Sequence, residues 1–433
     1  MDNPRRLAHL SLVKSDLQEC FTNIEINTVL SRAKLEKSDA ALYTRLYLGV
    51  IEKKLLLDYI IGQYSNTPIE KIDVEALNAI RLGFYQLLFT DRIPDHSAVD
   101  ESVNLAPKRS KGFVNAILRN FLRNGKKIDY PKDEWERASI ENSIPVSIIN
   151  LFRASYGDEA AKSLASHRDE DNSLSLRINT LKASKEEVLA RLTEMGYDPT
   201  LSSYGDGVIK CAVPISEIKA LIDTGKVFVQ DESSYVCSLV IDAQKGEKIA
   251  DACACPGGKT FSMAISMENQ GEIKAYDLHK SKLSLIEKGA KRLGIDIVSV
   301  AEQNAKVFLP ENEGAFDKVL CDVPCSGLGV IFKKPDIKYK SIDSINALPS
   351  IQYDILKNCS KYVRVGGALV YSTCTLCKEE NEKNVLRFLE SNSDFEPMEF
   401  EVGKAKSQNG MFTFLPHVTG TDGFFVAKLV RKK

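Results

Sequence analysis

The chain has 433 residues, 43% hydrophobic and 27% charged, which is ordinary globular composition, and at roughly 150 residues per domain its length suggests about three domains. No run reaches roughly 18 uncharged apolar residues, and the first twenty positions already carry Arg5, Arg6, Lys14 and Asp16; neither export nor membrane insertion is expected, and the chain reads as cytoplasmic. The 10 cysteines are too sparse for a disulfide framework, so packing, metal binding or thiolate chemistry is left for them. The net charge of -1 conceals a stretch from Lys108 to Lys127 in which Lys108, Arg109, Lys111, Arg119, Arg123, Lys126 and Lys127 occur without an acid, a pattern suited to a polyanion or to the solvated face of a helix.

Residues 1–130 have helical periodicity: Leu42 and Leu46, Ile51 through Ile61, and Leu77, Ile80, Phe84, Leu87 and Leu88 form apolar stripes, which predict a helical bundle. Asn124-Gly125 and Tyr130-Pro131 break it. A middle segment over 131–222 contains an alternating strand at Leu174–Asn179 and a helix from Lys185 to Met195 stopped by Gly196, hence a small α/β unit. From 223 to 433 short apolar runs alternate with helices, which predicts a parallel sheet covered on both faces. Its strands are expected at Lys248–Cys253, Glu272–Asp277, Ile297–Ala301, Lys318–Cys321 and Ala368–Ser372, with helices on the face marked by Leu283, Ile286, Ala290 and Leu293 and over Ala347–Val363, before Gly366-Gly367.

The loop Asp251-Ala252-Cys253-Ala254-Cys255-Pro256-Gly257-Gly258-Lys259-Thr260 follows the first of these strands. Open parallel sheets bind ligands at the carboxyl ends of their strands. Gly257 and Gly258 allow a sharp turn and close approach, and the helix opening at Lys259 offers amides to a carboxylate. Alone, this is a plain glycine-rich turn; with Asp277 ending the next strand, where an acid accepts from ribose hydroxyls, it points to a nucleotide-like cofactor. No Gly-x-Gly-x-x-Gly follows the first strand, which argues against a dinucleotide.

Cys325, in Asp322-Val323-Pro324-Cys325-Ser326-Gly327, and Cys374, in Ser372-Thr373-Cys374-Thr375, each lie just past a strand's carboxyl end. A thiolate is what cytosine chemistry requires: C5 is too weak a nucleophile until a thiolate adds to C6, and the adduct must later lose its C5 proton. Asp322 suits either the cytosine N3/N4 edge or an adenine amino group, and sequence does not choose between them. Any single cysteine is more often packing than catalysis, and Cys374 with Cys377, Cys253 with Cys255, or Cys321 with Cys325 have the spacing of zinc half-sites. The five scattered histidines argue against metal, and none is expected.

Together, 251–259, 322–327 and 372–375 resemble the bacterial Sun/Fmu-type 16S ribosomal RNA cytosine-5 methyltransferases. The likeness extends to Asp91–Pro94 and Gly112–Arg119, similar to the NusB-like helical domain of that family, and to Arg177–Thr180, Gln230–Ser234, Lys334–Asp336 and Thr421–Phe425. It implies an all-α NusB-like RNA-binding domain, a small α/β RNA-binding segment, and an α/β Rossmann-like class I methyltransferase domain with a mostly parallel seven-stranded sheet. It further implies S-adenosylmethionine as cofactor, a 16S rRNA substrate, and action as a monomer without metal or membrane. Cys374 would be the nucleophile and Cys325 the release cysteine; Cys253, Ala254, Cys255, Pro256, Gly257, Gly258, Lys259, Asp277, Asn304 and Asp322 would contact the cofactor. Cys255 stands where the family usually has Ala, and Asn304 where an Asp commonly meets the adenine. Competing readings are the same chemistry on transfer RNA or another rRNA site, and an RNA-binding assembly or antitermination factor with an inert methyltransferase domain.

Overall fold

The computed structural model describes residues 2–18, 21–167 and 173–433. The chain forms two compact units: residues 1–166 with 331–340, and residues 167–330 with 341–433.

The first unit is helical: α1 (Pro4–Leu17), α2 (Thr22–Arg32), α3 (Lys37–Tyr64), α4 (Val74–Phe89), α5 (Asp95–Leu105), α6 (Lys111–Arg123), α7 (Glu134–Asn142) and α8 (Val146–Ser166), the last bent at Gly157. Asn3, Asp73 and Asp133 accept from the orphan amides that open α1, α4 and α7. α4 is apolar almost all round and fills the centre, burying Leu77, Ile80, Leu82 and Phe84 against Tyr43, Leu46, Leu57 and Ile60 of α3. One charged residue goes with it: Arg81, only 4% exposed, donates to Asp58 at 2.6 and 2.8 Å and to Asp16 at 2.5 Å, so its charge is paired on two sides.

α6 stops at Arg123 and Gly125 turns with φ +64°. α6 buries Val114, Ile117, Leu118 and Phe121. Of the basic residues between 108 and 127, Arg109 pairs with Asp73, Arg119 with Asp100, Lys126 with Asp95 and Lys127 with Asp129. Acids from elsewhere in the fold thus offset much of a charge that looks unopposed in sequence. The segment 331–340 also belongs to this unit: the Tyr339 hydroxyl donates to the Ile51 carbonyl at 3.1 Å, and Thr22 donates to Asp336 at 2.6 Å.

The second unit opens with β1 (Leu174–Ile178), α9 (Lys185–Glu194), β2 (Thr200–Ser202), β3 (Gly205–Cys211), α10 (Lys219–Asp223) and β4 (Val227–Val229). The four strands make an antiparallel sheet in the order β2-β3-β1-β4, with a small core of Leu176, Ile178, Val188, Leu192 and Ile209.

The remainder builds the large sheet: α11 (Glu232–Val240), β5 (Lys248–Asp251), α12 (Gly258–Ser266), β6 (Glu272–Asp277), α13 (Lys280–Leu293), β7 (Val298–Glu302), β8 (Phe316–Asp322), α14 (Ile342–Ser360), β9 (Val363–Thr373), α15 (Glu382–Ser391), β10 (Phe395–Pro397), β11 (Glu401–Val402), β12 (Ala405–Lys406), β13 (Met411–Phe414), and β14 (Phe424–Arg431). Its path is β10-β14-β9-β8-β5-β6-β7, with β13 pairing β14 off the path; β11 and β12 pair separately. The sheet therefore has eight strands where seven were expected; five are parallel, and β14, β10 and β13 add antiparallel pairings.

Several expected boundaries are corrected: β5 ends at Asp251 rather than Cys253, and α14 begins at Ile342 rather than Ala347. α14 ends at Ser360 rather than Val363, and β9 begins at Val363, five residues before the expected strand. Gly366 and Gly367 lie inside that strand: Gly366 has φ +76°, and the register with β8 shifts between Phe316 and Lys318, so the glycines make an irregularity in a strand instead of a turn before one.

Candidate active site

Strand order reverses between β5, which runs on to β6 and β7, and β8, which runs on to β9. At such a reversal the loops leaving the carboxyl ends diverge and a cleft opens. Of the sequence-derived site residues, Gly258 and Lys259 open α12, Asn304 follows β7, and the rest lie on the loops or strand ends of β5, β6, β8 and β9.

After β5 the backbone remains tied to its neighbours, Ala252 N–H donating to Leu320 O at 2.9 Å and Ala254 N–H to Tyr276 O at 2.8 Å. The Cys255-Pro256 bond is cis, and Gly257 adopts φ +110° as the residue before α12. A Cβ on Gly257 would lie 2.4 Å from the Phe261 ring, whereas one on Gly258 would find nothing nearer than the Gln230 amide at 3.8 Å. No side chain caps α12, so its first amides are left to the cleft. Asp277, closing β6, accepts from Cys255 N–H at 3.3 Å and His279 N–H at 2.9 Å, which pins the glycine loop to the next strand. Asn304 is exposed and accepts from Lys306 N–H at 3.1 Å, closing its own turn.

Lys259, the second residue of α12, donates to Asp322 at 2.7 Å, and Ser372 of β9 donates to the other Asp322 oxygen at 2.7 Å. Burial opposes the Lys259 charge, but the adjacent Asp322 carboxylate outweighs it and holds the ammonium above its ordinary pKa. Behind the loop, Asp251 is 1% exposed; Thr260 donates to one of its oxygens at 2.7 Å and the other has no partner. Burial pushes its carboxyl up to about 7. Asp251 opens the loop read from the sequence, where it was given no role; its burial marks it out.

Cys325 and Cys374, far apart in sequence, meet with their sulfurs 3.1 Å apart. β8 and β9 are adjacent and parallel, with Asp322 opposite Ser372, so loops leaving them carry the two thiols side by side. The Cys374 carbonyl accepts from Gly329 N–H at 3.0 Å, which fixes the backbone beneath the nucleophile candidate. The hydrogen bond with Cys374, then burial, raises the Cys325 thiol well above its usual range. Burial likewise raises Cys253 and Cys255, the former further, and lifts Cys377 to about 11. The Cys-x-x-Cys spacing therefore does not pair Cys374 with Cys377 as thiol neighbours: Cys374 faces Cys325, while Cys377 is 5% exposed in the core. Cys321 lies against Cys359, not Cys325. Among the described residues no group of three or more His, Cys, Asp or Glu side chains is arranged to hold a metal.

A mostly parallel sheet with this reversal, a glycine loop after its first strand and an acid closing its second is a Rossmann-like nucleotide-binding domain, and the family matches make it a methyltransferase domain. Residues 238–430 match the family described as 16S rRNA methyltransferase RsmB/F, residues 2–123 match the NusB family, and residues 144–216 match the ferredoxin-like domain of RsmF/B-like methyltransferases. The chain is 34% identical over 445 residues to the probable ribosomal RNA small subunit methyltransferase B of Bacillus subtilis, covering 99% of this chain and 98% of the relative. It is 32% identical to ribosomal RNA small subunit methyltransferase B of Escherichia coli K12 over 92% of each. The crystal structure of PH0851 superposes with a TM-score of 0.83 at 27% identity, covering 100% of this chain and 99% of that one. NSun6 from Pyrococcus horikoshii with SFG gives 0.61 at 25% identity, covering 67% and 98%. The chain belongs to the RsmB/F family of 16S rRNA methyltransferases and carries that family's NusB domain.

Proposed function

We propose that this protein transfers a methyl group from S-adenosylmethionine to C5 of a cytosine in 16S rRNA, with Cys374 as nucleophile and Cys325 as the cysteine that releases the product. The observation that carries the reading is the pair of sulfurs 3.1 Å apart beside the Lys259–Asp322 ion pair. The neighbour solved with SFG, an S-adenosylmethionine analogue, supports the cofactor.

The residues fit that cofactor. Space over Gly258, the uncapped amides of α12, and a carboxylate at Asp277 suit a carboxylate-bearing nucleoside, held by Cys253, Ala254, Cys255, Pro256, Gly257, Gly258 and Lys259, with Asn304 and Asp322 toward its base. When bound, S-adenosylmethionine supplies a methyl group on a positively charged sulfur.

The thiol pair divides its labour by charge. Cys325 keeps its proton and donates it to the Cys374 sulfur, so the negative charge rests on Cys374, on the side of the Lys259 ammonium. The Cys374 thiolate bonds to C6 and the ring electrons move to C5, which becomes nucleophilic. Lys259 and Ser372 between them orient both oxygens of Asp322 for its cofactor contact. After methylation the Cys325 thiol gives its proton to water and the resulting thiolate takes the C5 proton; the electrons of that C–H bond restore the C5=C6 double bond and expel the Cys374 thiolate.

The test is incubation with labelled S-adenosylmethionine and unmodified 16S RNA. Label should appear at cytosine C5, C374A should abolish it, and C325A should accumulate a covalent protein–RNA adduct. Undiminished methylation by C374A would end the assignment.

A further inference from the structure

Glu380 lies in the turn that follows Cys377, with no exposed surface. One of its oxygens accepts from Ser326 Oγ at 2.5 Å and Thr375 Oγ1 at 3.3 Å; the other accepts from Ser326 N–H at 2.9 Å and Gln352 Nε2 at 2.8 Å. Ser326 follows Cys325 and Thr375 follows Cys374, and their two hydroxyls are themselves 2.7 Å apart. Gln352, on α14, also donates to the carbonyl of Pro324 at 2.9 Å. One carboxylate therefore holds the residue after Cys325 and the residue after Cys374 directly, and the residue before Cys325 through Gln352. Among the described residues no lysine or arginine pairs with it; its partners are neutral donors.

A fully buried carboxylate without a cation is costly, and an apolar side chain of the same size packs more favourably unless the charge has a use. Here the use is geometric. Loops leaving two adjacent parallel strands are free to diverge, and among the described residues short polar contacts, the Gly329 N–H to Cys374 carbonyl bond included, link the two thiol loops. Four donors converging on two oxygens fix both loops at once. We propose that Glu380 is a positioning residue for the methyl transfer, clamping the Cys325 loop to the Cys374 loop and setting the separation of the two sulfurs without touching either. The proposal rests on the reading of the two cysteines given above. A glutamine in its place has one acceptor oxygen and turns an NH₂ toward donors, so the substitution keeps shape while breaking half the clamp.

The test compares wild type with E380Q in two measurements. The first is the effective concentration of the thiol pair, from equilibration with glutathione disulfide: the two thiols give their hydrogens and one disulfide forms, while each glutathione disulfide becomes two glutathione thiols. Peptide mass mapping separates the 325–374 linkage from the other cysteines. The second is steady-state methylation. E380Q should lower the effective concentration at least tenfold and kcat at least tenfold, while KM for RNA and cofactor affinity stay within twofold. A folded, cofactor-binding E380Q whose thiol pair is within twofold of wild type overturns the clamp, whatever its rate; a loosened thiol pair with unchanged kcat overturns its role in the reaction. If E380Q fails to bind cofactor, T375V removes one arm of the clamp without changing shape, and wild-type values in both measurements would again refute it. Should C374A methylate normally while E380Q still loosens the pair, the cysteine reading falls and the clamp stands.

Discussion

Gly257→Ala tests the geometry of the glycine loop most directly. Two separate penalties follow from the structure. Gly257 has φ +110°, a region costly to any residue with a Cβ, which adds about 1–3 kcal/mol. The added methyl would also sit 2.4 Å from the tip of the Phe261 ring. That ring has nowhere to go: Gly289 crowds the same Cζ atom, since a Cβ built there would also fall 2.4 Å away, and Phe228 packs edge-on with centroids 6.1 Å apart. Overpacking of this kind costs about 1–3 kcal/mol. If the loop holds its shape, the methyltransferase unit loses about 2–6 kcal/mol of stability; if it yields, the α12 amides are displaced and cofactor affinity falls at least tenfold. Calorimetric unfolding with and without S-adenosylmethionine, beside a direct titration, reads both. G257A/F261L should recover the steric part and leave the backbone part, so the cycle should show about 1–3 kcal/mol of coupling. A G257A protein within about 0.5 kcal/mol of wild type, binding cofactor normally, would refute the account of the loop.

The folded-state pKa of Asp251, about 7, lies above that of an unfolded aspartate, so the native state holds the extra proton and this group's contribution falls as pH rises from about 4 to about 7. D251N should remove that slope, and parallel urea-unfolding profiles of the two proteins between pH 5 and 8 would contradict it. R81M strands Asp16 and Asp58 in the helical unit and should cost about 3–5 kcal/mol by denaturant unfolding, whereas K126A, which opens an exposed pair, should cost under about 1 kcal/mol. Equal losses would show that burial is not what gives the Arg81 pairs their weight. N304D replaces an amide donor with a second acceptor; on the proposal that Asn304 contacts the adenine it should tighten cofactor binding about fivefold, the equivalent of about 1 kcal/mol, and calorimetric titration showing no gain would remove Asn304 from the proposed contacts.

The parallel strands were legible because each is a short aliphatic run between turn residues, and the loop glycines and Asp277 because their places follow from strand order. Less visible were β10 and β13, which at three and four residues leave no period to read. Gly366-Gly367 misled, since two glycines signal a turn locally and only the pairing with β8 shows a strand continuing through them. At the site, the cysteines stood out by residue type and position. Glu380 and Gln352 did not: both belong to types that normally face solvent, and what buries them is the meeting of two loops with α14. The acids opposite Arg109, Arg119 and Lys126 were equally hidden, because each is brought in from another helix or turn.

Residues 331–340 have a consequence for the order in which the chain acquires its shape. Tyr339 packs against the helical core, and its hydroxyl and the Lys338 ammonium meet the carbonyls of Ile51 and Glu52, yet these residues leave the ribosome long after Ser166. The helices made first must wait, with part of their apolar surface uncovered, until most of the catalytic half has been translated. Cutting the gene between the two halves would separate pieces of a single hydrophobic core.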